Sequence, residues 1–475
     1  MSDRTPAAEI EPPPATVWEA AKEAVRGSHR HDYTAGPIGH SLLLLAVPMV
    51  LEVALESVFA VVNVFWVARL GPEAVATVGL TEAMFSTIYA LGMGLGIGAT
   101  AMVARRIGEK QPDGAARAAV QAIILAVLVA LPLALAGALL GSTLLRLMGA
   151  SESVVATGHG YTRVLFAGNF VIMLLFLINA IFRGAGDAAI AMRSLWLANL
   201  CNLVLDPLLI FGIGPFPELG VTGAALATTI GRGVGVLYQF RRLAGTGKRF
   251  VIHREHLRFE PAIAGKLLRL SGTGIFQILI ATTSWIGLVR VVSTFGSQVL
   301  AGYTIGIRVI MFAILPSWGM ANAAATMVGQ ALGARKPERA EAAVWRAGFY
   351  NLCFLGVVGM LFLAFAPALV GAFTDDPAVS RHAIACLRIV SAGFLFYAYG
   401  MVLTSAFNGA GDTWTPTLIN LFCFWLWEVP LAWVLSRHTG LGPHGTFLAI
   451  TVAFSTLALV SALVFRRGRW KLRQI

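Results

Sequence analysis

Charge is scarce in this sequence. Asp, Glu, Lys and Arg make up only 13% of its 475 residues, against roughly 25% in ordinary soluble domains. A soluble chain of this length divides into domains that each need a polar exterior, and too little polar sequence is present to supply them. Cysteine is also sparse. Cys201, Cys353, Cys386 and Cys423 stand apart in apolar surroundings and form no CxxC, which argues against a disulfide framework or a zinc site. No GxxxxGK(S/T) occurs, so a phosphate-cradling loop is missing. No nucleotide and no other cofactor is expected. The nine histidines lie in tails, in loops or at the edges of apolar runs. They form no metal-ligand or nucleophile–base set, so an enzyme is not expected. The net charge of +12 sits mostly in short loops rather than on a folded polar face, which speaks against nucleic acid as a partner.

Apolar sequence fills the chain instead, at 57% of residues. A helix needs about 20 residues to cross ~30 Å of hydrocarbon. Twelve runs qualify: 41–68, 77–103, 119–147, 161–182, 192–213, 221–240, 267–293, 299–325, 346–373, 384–406, 414–436 and 445–465. The loops between them alternate in charge. Arg105, Arg106, Lys110 and Arg117 lie in one loop, and Arg335, Lys336 and Arg339 in another. The connection 241–266 and the tail 466–475 are also rich in Lys and Arg, whereas 215–220 and 374–380 carry none. Basic loops stay on the cytoplasmic side, so both termini are expected there, with the body in a bacterial inner membrane. Residues 1–38 are polar and contain PPP. They read as a mostly disordered tail with a short amphipathic turn around 17–25.

The chain repeats itself. MVARRIGEKQP at 102–112 pairs with MVGQALGARKP at 327–337, FRGAGD at 182–187 with FNGAGD at 407–412, and GPEAVA at 71–76 with GSQVLA at 296–301. All three pairs are offset by 225 residues, and chance does not readily supply three matches in register. The sequence therefore predicts an all-α integral membrane protein of twelve transmembrane helices in two pseudo-symmetric six-helix bundles. These span 39–240 and 267–465, joined by the basic linker 241–266. Repeats with an even number of spans face the same way and are related by an axis along the membrane normal.

Ionisable residues inside spans are costly and mark pathways or relays. Glu52, Glu56 and Asn63 recur at four and seven residues on the first span and share one face. Asn199, Asn202 and Asp206 recur at three and four residues on the fifth, again on one face, where Pro207 frees a carbonyl one turn earlier. Asn, Asp and a freed carbonyl make a proton or sodium site. These residues are the expected cation-coupling set, with Asp206 and Asn202 as metal ligands if the ion is sodium. Glu52, its repeat partner Gln277, Glu82 and Glu428 are expected to line a substrate cavity. Tyr397, Tyr399, Trp425 and Trp427 offer faces to an organic cation or to lipid.

In this order, the lobe start near Pro48, the paired MVARRIGEK and MVGQALGARKP loops, the RGAGD and NGAGD turns and NLVLDP at 202–207 resemble the multidrug and toxic compound extrusion family of antiporters, over about 40–465. The resemblance implies a V-shaped pair of six-helix bundles. It implies export of organic, often cationic, compounds in exchange for H+ or Na+, by a protein that works as a monomer among membrane lipids. Asn202 and Asp206 match positions of the family's N-lobe cation site. Asn63 stands where many members have aspartate. An asparagine cannot take up or release a proton in this role, so coupling shifts to Glu56 or Asp206, uses sodium, or weakens. A lipid-linked glycan flippase of similar architecture, a membrane enzyme and a structural protein are the alternatives.

Overall fold

The structure, a computed structural model, describes residues 16–27, 31–245 and 249–475. Part of the tail expected to be disordered, 1–15 and 28–30, and part of the linker, 246–248, lie outside the described residues. The helices are α1 (Val17–Arg26), α2 (Ile38–Ala68), α3 (Pro72–Gly108), α4 (Pro112–Leu147), α5 (Glu152–Ala167), α6 (Asn169–Ala185), α7 (Ala188–Phe211), α8 (Val221–Ala244), α9 (Pro261–Ser293), α10 (Ser297–Gly333), α11 (Pro337–Gly371), α12 (Pro377–Ser391), α13 (Phe394–Gly409), α14 (Trp414–Asn420), α15 (Val429–His438) and α16 (Pro443–Arg466). A π-helical stretch, Leu421–Glu428, joins α14 to α15. Several helices, among them α3, α4, α9 and α11, open on a proline. Its missing N–H is harmless there, and its φ suits the first turn.

Among the described residues, nine helical segments are long and apolar enough to cross a membrane, and two bent pairs raise this to eleven. The bends are α5–α6 at 44° and α12–α13 at 58°. Each breaks beside a glycine, Gly168 and Gly393, and these are related by the same offset of 225. The twelfth crossing element is α8. It is less apolar because it carries Arg232, and it packs into the bundle against α5, α6 and α7. The fold is thus two bundles of six crossing elements, α2–α8 and α9–α16.

The bundles meet through α3 against α9, and through α10 against α2 and α3. The tightest approach is near the loops that carry the Lys and Arg clusters, here termed the basic face. Gly108 and Gly333 are repeat partners. A Cβ on Gly108 would strike the carbonyl of Gln330, and one on Gly333 the carbonyl of Arg105. Arg105 and Gln330 are themselves repeat partners, so the crossing obeys the pseudo-twofold. Small residues let backbones approach this closely. Toward the opposite face α2 exposes Val58, Val61, Val64 and Phe65, and the two bundles diverge into a V.

In the described part of the N-terminal tail, α1 falls where the amphipathic turn is expected, whereas residues 31–37 differ from the expectation of disorder. Helix α1 closes with a capping box in which Thr16 and Glu19 exchange side-chain and backbone bonds at 3.2 Å, and Ala20 and Ala24 are buried. Residues 31–37 then form a strap across the basic face. Tyr33 is 2% exposed, and its hydroxyl donates to the Gly186 carbonyl at 3.0 Å. Arg249 from the linker donates to His31 O at 2.6 Å and lies over the Tyr33 ring. From the other lobe, Arg339 donates to the carbonyls of Tyr33, Ala35 and Gly36 at 2.6–2.9 Å, and Lys336 to that of Thr34 at 2.8 Å. The segment is polar, so composition makes it look disordered. It is ordered because distant basic side chains cap its carbonyls.

The C-terminal tail crosses the other way. Trp470 is buried and stacks on Phe465. Arg105 of α3 donates to Arg473 O at 2.8 Å, and Arg473 pairs with Asp412 at 3.1 Å.

Gly333→Val is expected to push the lobes apart on the basic face and to cost about 1–3 kcal/mol by overpacking. Thermal unfolding of the purified protein reads this. Acid should loosen the strap. Burial, then the neighbouring His40 and Arg249, push His31 down to about 4, so it is neutral when folded. Its stabilising contribution is present above the unfolded value near 6.5 and is lost as pH falls through the window between about 6.5 and 4. Hydrogen exchange over 31–37 should quicken across that window, and less so in His31→Gln.

Candidate functional site

Glu52 and Glu56 lie one turn apart on α2 and point into the first bundle. Each meets an arginine from a different helix. Arg183 of α6 donates to Glu52 Oε1 at 2.8 Å, and Arg232 of α8 to Glu56 Oε1 at 3.0 Å. Polar neighbours extend both pairs. Asn179 donates to Glu52 Oε1 at 3.0 Å, while its own carbonyl oxygen accepts from Ser194 at 2.8 Å and Gln239 at 2.7 Å. Asn199 donates to Glu56 Oε2 at 2.8 Å. Arg232 also lies over the Phe176 ring. The Glu52 side chain is 4% exposed and that of Glu56 30%, so Glu56 is the one that open space can reach.

Asp206 sits further along α7 and is 1% exposed. Asn202 Nδ2 donates to its Oδ1 at 3.2 Å and contacts Thr228 Oγ1 of α8 at 3.2 Å. No arginine or lysine is within ion-pair reach of Asp206 among the described residues, unlike the two glutamates. Asp206, Asn202 and Thr228 together present oxygens suited to a proton or a hard cation.

The structure brings Asn202 to Asp206, one turn apart on the same helix, and Asn199 to Glu56 of α2, a contact between helices that spacing does not predict. Asn63, on the same stripe, is half-buried where the lobes diverge and takes no part in these bonds. The four residues expected at a substrate cavity do not come together. Glu52 is enclosed by Arg183 and Asn179, because an unpaired carboxylate there would be costly. Glu82 is exposed near the start of α3. Gln277 is buried on α9, where neighbouring Ile275 packs on Gly94. Glu428 is enclosed in the other lobe. Sequence reading missed Arg183 and Arg232. Arg183 lies inside FRGAGD, which reads as a turn, and Arg232 inside a span. An arginine within apolar sequence is itself a sign of a buried acid partner.

The MatE family model matches the chain twice, at 48–208 and 274–434. The chain is 26% identical to the probable multidrug resistance protein YoeA of Bacillus subtilis, over 92% of this chain and 95% of that one. It is 25% identical to the probable multidrug resistance protein NorM of Thermotoga maritima, over 92% and 94%. The structure superposes on a multidrug resistance MATE transporter in an outward-facing conformation, with TM-score 0.86 at 29% identity, covering 93% of this chain and 98% of that one.

Removing one member of a buried pair leaves the other unmatched. Arg183→Leu should destabilise the protein by about 3–5 kcal/mol. Adding Glu52→Gln to that variant should recover much of the loss. A double-mutant cycle by thermal unfolding checks this, and additive single effects would contradict the pairing.

Proposed function

The chain belongs to the MatE family, and from that premise we propose that it exports organic cations in exchange for an inward-moving H+ or Na+ taken up at Asp206. It is a multi-pass membrane transporter of the multidrug-efflux kind, a secondary carrier and not an enzyme. The observation that carries the coupling role is the state of Asp206: buried, held by a single asparagine and without a cationic partner.

Charge matching supports a cationic cargo. Glu52 with Arg183 and Glu56 with Arg232 are each neutral as pairs. Ionised Asp206 therefore leaves this layer with one net negative charge. A proton or a sodium ion satisfies it, and so does a monovalent organic cation nearby, but the two compete. Glu56 is the contact point between this layer and the open side. A proton on Glu56 would release its hold on Arg232, and the freed guanidinium would then repel a cationic cargo.

The basic loops support a cytoplasmic placement of the basic face and of both termini, in a bacterial inner membrane. In that orientation the V opens outward here. Exchange follows in order. The outward-facing protein takes up its coupling ion at Asp206 and releases cargo. The loaded protein closes outside and opens inside, which requires parting the Gly108–Gly333 crossing and both straps. Loss of the ion to the cytoplasm restores the negative charge that draws the next cation. Such coupling needs ion and cargo to bias the same equilibrium in opposite directions. One copy of the chain holds every residue of this cycle, which supports a monomer as the working unit.

In proteoliposomes, an imposed gradient of the coupling ion should drive uptake of an organic cation, and Asp206→Asn should reduce it roughly tenfold or more. Separate proton and sodium gradients identify the ion. Thr228→Val separates them again, since it removes a sodium-ligand oxygen but no titratable group. Uptake indifferent to both gradients would refute coupled export for that cargo.

A further inference from the structure

The second lobe holds a carboxylate that the mechanism above does not use. Glu428 is 2% exposed and ends the π-helical stretch Leu421–Glu428. Among the described residues it has neither a hydrogen-bond nor an ion-pair partner. The groups close enough to feel its charge are the hydroxyls of Tyr303 on α10 and Tyr397 on α13, and the thiol of Cys423 on its own helix. The helices packed on this stretch are α9, α14, α15 and α16. None of them brings an arginine, lysine or histidine within ion-pair reach of Glu428. The Tyr303 hydroxyl is likewise buried without a partner.

Position adds to chemistry. The repeat places α14–α15 in the second lobe where α7 stands in the first, and α7 carries Asp206. Glu428 lies about one turn nearer the basic face than Asp206 does, counted from each helix start. Each carboxylate is followed closely by a helical proline, Pro207 or Pro430. The π-helical stretch has no counterpart in α7, which is α-helical throughout. Such wide turns are rare and concentrate at functional sites. Tyr397, which lies close enough to Glu428 to feel its charge, also lines an aromatic cleft with Trp285, Phe394 and Phe454.

An unmatched carboxylate in these surroundings cannot stay ionised without several kcal/mol of desolvation cost. We propose that Glu428 is a second proton site of this transporter, carrying a proton in the outward-open arrangement and giving it up when the second lobe rearranges. The step is a proton transfer from the Glu428 carboxyl to water entering the site, leaving carboxylate and hydronium. It rests on the exchange reading above, but its site is independent of Asp206. Two carboxylates on repeat-related helices would let one cycle move more than one proton.

Infrared difference spectroscopy on the full chain in lipid tests this. A carbonyl band of a protonated carboxylic acid should be present in the native protein and lost in the isosteric Glu428→Gln. Adding a probe cation, tetraphenylphosphonium, should remove that band and release a proton to solution. In vesicles the protons moved per probe cation should fall in Glu428→Gln, with the variant still folded by its unfolding temperature. No such band, or a band that neither the probe nor alkaline pH removes, would overturn the proposal and leave Glu428 a packing residue. Absence of any coupled export with the band still titrating would refute the exchange reading alone.

Discussion

Glu52 and Arg183 meet at 2.8 Å between α2 and α6, and Glu56 and Arg232 at 3.0 Å between α2 and α8. A carboxylate in hydrocarbon surroundings is tolerated only with such a partner. That requirement orders much of the first lobe. It fixes the rotation of α2, because both glutamates must face inward. It fixes α6 and α8 beside it, because their arginines must reach. Asn179, Ser194 and Gln239 join Glu52 in one connected hydrogen-bonded group. Against this matched background Asp206 and Glu428 stand out, and an unmatched acid is free to respond to a proton where a matched one is committed to its arginine.

The same logic, applied to backbone carbonyls, closes the basic face. Two chain ends cross the junction between lobes, and basic side chains cap their carbonyls from the opposite lobe. Arg339 and Lys336 of the second lobe hold residues 33–36. Arg105 of the first holds the carbonyl of Arg473. Lys110 and Arg335, repeat partners at the turns after α3 and α10, both take φ of 58°, a region that a side chain enters at some cost. Basic residues of the kind that bias membrane orientation therefore also hold the two lobes together on this face. Individually such contacts are weak and reversible, which suits a junction that must part in every cycle.

The spans and the repeat were largely readable from sequence, whereas the bends at Gly168 and Gly393 were not. Apolar length fixes a crossing helix almost by itself, and the offset of 225 makes Gly108 the repeat partner of Gly333 and Gly168 that of Gly393. The helical spacing also assembled Asn199, Asn202 and Asp206 on one face. What escaped were the partners contributed by other helices. Glu52 and Arg183 are far apart in the chain, and no local pattern pairs them. A glutamate on an apolar helix reads the same whether it faces a cavity or an arginine, so Glu52 was assigned to a cavity. The strap escaped for the converse reason. Its own residues carry little apolar content, and the order comes from arginines elsewhere.

Duplication gave the lobes one architecture but left them with different chemistry. Where α2 carries Glu52, its counterpart α9 carries Gln277. Where α8 carries Arg232, the matching stretch of α16 has no lysine or arginine between Pro443 and Phe465. The first lobe has thus become a polar, charge-matched layer with one spare negative charge. The second has become a largely apolar, aromatic bundle enclosing Glu428. A symmetric pair would bind ion and cargo alike in both halves and gain no means of telling them apart. With a polar lobe and an aromatic lobe facing each other across one V, an organic cation can rest its apolar body on one wall and its charge on the other. In the exchange proposed above, the ion at Asp206 uses the polar wall, and Glu428 adds a proton site in the other lobe. On the exchange proposed above, that difference in footprint would let the two cations compete for charge while favouring different arrangements of the lobes, which is the condition for exchange.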